Sequence, residues 1–181
     1  MFALLIDPVA EIKNAKQQNY AKILLYLVAA SLFETAGLLF FLWQFLSSWL
    51  PPNMISYGIV AAVLGIIVVH LVAAFFFTVA MHVLDGNGGY YEGLATLVFA
   101  MVAPAVTTFF AGAVTFVPYS GGAAAVLLAY GYILGFATFF RAGKELFELD
   151  YAGVLIGFLI TALTLGFSYA IFNFPAFSFL Q

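Results

Sequence analysis

Met81-His-Val-Leu-Asp-Gly-Asn-Gly-Gly-Tyr-Tyr-Glu-Gly-Leu-Ala-Thr-Leu-Val-Phe-Ala-Met-Val-Ala-Pro104 is the stretch that decides the fold. A compact polar turn, Asp85 to Tyr91, separates two apolar runs, and crossing hydrocarbon takes about 20 such residues. The chain must therefore fold back here. Asn87, Gly88 and Gly89 are expected to supply the positive-φ positions of the reversal. The Gly-Asn-Gly-Gly run is not a phosphate loop, because it lacks the Gly-Lys-Ser/Thr ending and no strand precedes it.

Working outward, the whole chain shares this character. Of its 181 residues 66% are hydrophobic and only 7% charged, with a mean hydropathy of +1.14, which a water-soluble domain of this length could not conceal. The pattern predicts an all-α integral membrane protein, one domain over 1–181. Its five transmembrane helices fall at about 22–49, 55–84, 91–117, 123–140 and 151–173, after a short N-terminal interfacial helix at 8–20. Asp7 is the expected cap of that lead-in, with Pro8 in its first turn. The first residues lack a basic start, so no cleavable signal is expected. With no cysteine there is no disulfide framework, and a formal charge of −3 gives no footing for nucleic acid.

Lys13, Lys16 and Lys22 precede the first span, and Arg141 and Lys144 follow the fourth. The segments Pro51–Met54, Pro118–Gly122 and the tail carry neither lysine nor arginine. The positive-inside rule then places the N-terminus, the glycine turn and a charged 141–150 connector in the cytoplasm, and the C-terminus outside. The implied location is the cell membrane, multi-pass, or an internal membrane in a eukaryotic cell. Gly131 with Gly135 and Gly153 with Gly157 form small-xxx-small patterns that let helix backbones approach. They predict a tight antiparallel hairpin of spans four and five, with a homodimer seam as the alternative use. Pro104 is expected to free the Ala100 carbonyl and kink the third span.

Chemistry is sparse. Glu34 and His70 each lie about 14 residues from the nearer cytoplasmic end, roughly 21 Å deep at 1.5 Å per residue. At that depth an unpaired carboxylate costs roughly a few kcal/mol or more, so Glu34 is expected to be neutral, paired or in contact with water, with His70 its obvious partner; the two form a proton or cation site, form a buried pair that sets helix register, or do not meet. Thr107, Thr108, Tyr130 and Thr161 sit at similar depth and are the candidate polar lining of a path. His82, Asp85 and Glu92 around the turn are the candidate ligands of a metal ion, although three such residues at a turn are more commonly solvated. No hydrolase motif and no cofactor motif is present, so no enzyme activity is expected.

Gly86-Asn-Gly-Gly-Tyr-Tyr-Glu-Gly-Leu-Ala-Thr-Leu97 with Pro104 following, Leu5-Ile-Asp-Pro8, and Gly143-Lys-Glu-Leu-Phe147 together resemble the glycine turn, lead-in and fourth-to-fifth connector of the Yip1-domain family of five-span membrane proteins. The chain looks most like its short, prokaryotic-type members. The resemblance implies a cytoplasmic N-terminus. In the eukaryotic members it implies vesicle-traffic roles with Rab-type GTPases, a partnership that does not carry to the short form. Three functions stay open on the sequence. The first is a non-enzymatic scaffold or membrane-organising partner that meets a protein through its cytoplasmic loops. The second is a small transporter or channel built on Glu34 and His70, and the third a lipid-handling protein.

Overall fold

The computed structural model of the chain describes residues 8–15, 19–49 and 51–178. Among the described residues the structure is all helical. A short α1 (Pro8–Ala15) precedes α2 (Tyr20–Trp49), α3 (Pro52–Val83), α4 (Tyr90–Val114), α5 (Gly121–Phe147) and α6 (Tyr151–Ser178). The last five are long and apolar enough to cross a membrane. Their outer faces agree with that: Val60, Leu64, Val68, Val72 and Val79 of α3, Ile133 of α5, and Leu163 and Phe167 of α6 are all exposed. In water so continuous an apolar surface would drive aggregation, whereas in lipid it has no cost. The protein is a multi-pass helical membrane protein.

Helix α4 is the hub. It packs along α2 on one side and α5 on the other and also touches α3, while α6 leans mainly on α3. Leu94, Val98, Phe99 and Val102 form its buried stripe, at the 3–4 residue spacing that keeps one helix face against its neighbours. The α2–α4 contact is made backbone to backbone. A methyl group on Gly37 would stand 2.5 Å from the Thr108 carbonyl carbon, and one on Gly112 would stand 2.5 Å from the Gly37 oxygen.

Three expectations change here. Helix α5 runs on to Phe147, so most of the expected 141–150 connector is helix. Phe139, Ala142, Gly143, Leu146 and Phe147 are buried at helical spacing while Arg141 and Lys144 point outward, and burial of that stripe outweighs the local charge. Spans four and five do not form the tight hairpin. Gly131 seats on Thr107, and Gly135 on Pro104 and the Ala100 carbonyl, both on α4. Gly157 seats on Met81 of α3, and Gly153 faces the helix's own lead-in at Asp150. Small residues open a face without choosing its partner. Lastly, α6 continues past 173 as helix to Ser178.

The turn is built differently from the glycine reading. None of its glycines has positive φ; the left-handed residue is Asp85, φ 63°. The Gly86 N–H donates to the Met81 carbonyl (2.9 Å) and the Asp85 N–H to that of His82 (3.1 Å). These are the two bonds of a Schellman helix ending. The glycines supply room instead: a methyl on Gly88 would stand 2.7 Å from the Phe147 ring. The Asn87 N–H donates to the Phe147 carbonyl (3.0 Å), and its side-chain amide to Glu148 (3.1 Å), which ties the turn to the end of α5. Helix α1 docks at the same end, with Ile12 and Ala15 fully buried. The Tyr91 hydroxyl donates to the Ala15 carbonyl (2.9 Å), and Lys22 pairs with Glu11 at 3.3 Å. The expected Asp7 cap and Lys16 lie outside the described residues.

Candidate functional site

Each of the five long helices contributes to the lining of an open-sided cavity of about 250 Å³. Glu34 comes from α2 and His70 from α3. Leu97, Ala100, Met101 and Pro104 come from the hub α4, while α5 adds Tyr132, Gly135, Phe136 and Phe139, and α6 adds Phe158. Glu34 stands about 14 residues from the start of α2 and His70 about 13 from the end of α3, roughly 20 Å along each helix at 1.5 Å per residue. That is the middle of the bundle. The two residues are close enough to interact electrostatically, but among the described residues no hydrogen bond or ion pair joins them.

Each polar group in the cavity has a local cause. His70 Nδ1 donates to the Ile66 carbonyl one turn back (2.8 Å), which places a proton on Nδ1 and leaves Nε2 as the nitrogen free to face the cavity. Ala100 would normally give its carbonyl to the N–H four residues on, but that residue is Pro104 and has none. The freed oxygen stands against Gly135 on α5. The lack of a side chain at Gly135 is what lets α5 approach α4 at this level. Tyr132 adds a phenol at the rim.

The rest of the wall is aromatic. Phe139 packs on Phe158 at 5.4 Å, and one turn below, Gly143 lies against Val154, so α5 and α6 meet near the turn end of the bundle. Further along α5, Phe136 and Tyr132 are 53% and 49% exposed while still lining the cavity. The wall is therefore open sideways, on the apolar outer surface of the bundle at mid-length.

The expected polar lining lies elsewhere. Thr107 donates to the Ala103 carbonyl (2.9 Å) and Thr161 to that of Gly157 (2.8 Å), each bonding back to its own helix as buried threonines do. Thr108 is buried against α2, Tyr130 is exposed on the outside of α5, and none of the four lines this cavity. Tyr132 takes that place, two residues from Tyr130. The signal that could have found it was the small face of Gly131 and Gly135, which fixes how α5 is rotated against α4. Among the described residues no group of His, Asp and Glu is placed to hold a metal. His82 and Asp85 are exposed, and the Glu92 carboxylate turns back to accept the Gly89 N–H (2.8 Å) at the start of α4. One further polar atom needs notice: the hydroxyl of Thr35, beside Glu34, is buried without a hydrogen-bond partner among the described residues.

No family model, curated protein or solved structure matches this chain.

Proposed function

We propose that the protein is a small transporter or channel in which Glu34, with His70, binds and passes a proton or cation at mid-membrane. The observation that carries this reading is that a carboxylate and an imidazole from two different helices line one mid-bundle cavity beside a carbonyl freed by Pro104. Ionisable groups are expensive inside a bilayer and are retained there for ion handling or for pairing. Here the pair leaves a cavity between its members rather than closing on itself. Lys13, Lys22, Arg141 and Lys144 stand toward the end of the bundle that carries the glycine turn, which on the positive-inside rule is the cytoplasmic one and puts the C-terminus outside.

The test is flux. Proteoliposomes loaded with a pH-sensitive dye are given an inside-negative potassium diffusion potential. The wild-type chain is expected to take up protons faster than empty vesicles, and Glu34→Gln to fall to the empty-vesicle rate. Equal uptake by the wild type and Glu34→Gln sinks the reading.

A second reading, a Yip1-like non-enzymatic scaffold of the cell membrane or of an internal membrane, has its own support in the firmly built turn end. There α1, the Asp85–Gly89 turn and the end of α5 are tied together by Tyr91, Asn87 and Lys22. Its test is a pull-down in which 85–89 and 148–150 are replaced by Gly/Ser linkers. Recovery of the same partners by the altered protein removes this reading.

A further inference from the structure

The cavity's chemistry is one-sided. Its lining carries one carboxyl group, Glu34, together with the His70 imidazole, the Ala100 carbonyl and, at the rim, the Tyr132 hydroxyl, and no lysine or arginine. Around them stand the aromatic side chains of Phe136, Phe139, Phe158 and Tyr132. A single acidic group walled by aromatic side chains complements a positive group with apolar substituents. A strongly hydrated inorganic ion would gain little from so much aromatic wall. At about 250 Å³ the space lies just under the roughly 300–1,000 Å³ of drug-sized sites, which selects a small ligand. The half-exposed Phe136 and Tyr132 place the opening on the lipid-facing side, where a lipophilic cation would already be concentrated.

We propose that this cavity binds a small lipophilic organic cation, an aralkyl amine or quaternary ammonium, which enters sideways past Phe136 and Tyr132 and sets its charge against Glu34. This deepens the transport reading by naming its substrate class. The titratable groups that face Glu34 from the packed helices are His70 on α3 and Tyr132 on α5; the lining residues of α4 and α6 contribute none. Protonation of Glu34 removes the negative charge that faces the ligand, so affinity falls as pH falls.

The test is equilibrium binding of benzyltrimethylammonium to the full chain in lipid nanodiscs. Neopentylbenzene, the same shape with carbon in place of the charged nitrogen, and benzenesulfonate serve as comparisons. The expected result is one site per chain, with the cation held at least about tenfold more tightly than its neutral isostere. Glu34→Gln should lose about the same factor, and binding at pH 5.5 should be weaker than at pH 7.5. Alkylating Phe136→Cys with N-ethylmaleimide in this otherwise cysteine-free chain should close the side opening and abolish binding.

Equal affinity for cation and neutral isostere, preference for the sulfonate, or unchanged binding by Glu34→Gln overturns the proposal, as does a phospholipid retained in the cavity in native mass spectrometry. If Glu34→Gln does not fold, the ligand comparison and the pH series on the wild type decide. Binding without flux of either protons or the organic cation leaves this inference standing and removes transport; proton flux without cation binding does the reverse.

Discussion

Gly37 offers the sharpest test of the fold, because its contact is with backbone that cannot swing aside. An added methyl would meet the Thr108 carbonyl carbon at 2.5 Å and the Phe109 nitrogen at 2.6 Å, where unstrained contacts need about 3.5–4.0 Å. In Gly37→Ala the axes of α2 and α4 must therefore part by about 1 Å. Overpacking of this kind costs about 1–3 kcal/mol, while alanine's better helix propensity returns up to about 1 kcal/mol. Gly65→Ala on α3 isolates the steric part, since a methyl there meets nothing within 4 Å and the propensity gain is shared. The two variants should differ by the full steric cost, about 4–8 °C in melting temperature for a 2 kcal/mol difference. Thermal unfolding in one detergent measures it. If Gly37→Ala melts at or above Gly65→Ala, the close α2–α4 contact is refuted.

Asp85 occupies the left-handed position of the turn at φ 63°. Asp85→Gly should therefore hold or raise stability, whereas Asp85→Val should lower it by roughly 1–2 kcal/mol; the opposite order in thermal unfolding contradicts the turn as described. Tyr91→Phe removes the buried hydroxyl that serves the Ala15 carbonyl, so stability should fall by about 1 kcal/mol and proteolysis near α1 should quicken, while the bundle stays folded. Asp150 accepts the Gly153 N–H at 2.7 Å as the cap of α6, and Asp150→Ala should cost roughly 0.5–2 kcal/mol in the same melt.

The five long helices were readable because hydrocarbon demands long apolar runs and the charged and glycine-rich breaks between them are sharp. The equal depths of Glu34 and His70 could be counted from helix rise alone. What stood between them could not, since the cavity depends on where Pro104 frees a carbonyl and on how closely Gly135 lets α5 approach. The end of α5 was misread because Arg141 and Lys144 mask the buried stripe from Phe139 to Phe147. Gly131, Gly135 and Gly157 announced close packing, yet the neighbours they chose, Thr107, Pro104 and Met81, follow from the rotation of whole helices. Gly37 and Gly112 form a seam although they stand 75 positions apart in the chain, and no local pattern joins them. At the turn, the left-handed geometry fell to Asp85 because the Schellman bonds fix that position, leaving the glycines to give Phe147 room.

The central claim is that Glu34 lines a cavity reached from the bilayer. It is tested most directly by treating membranes containing the protein with dicyclohexylcarbodiimide, which dissolves in lipid and reacts with carboxyl groups held in apolar surroundings, and mapping the adduct by mass spectrometry. The account predicts modification at Glu34, its loss in Glu34→Gln, and protection by benzyltrimethylammonium. An unmodified Glu34 in a folded protein would contradict it.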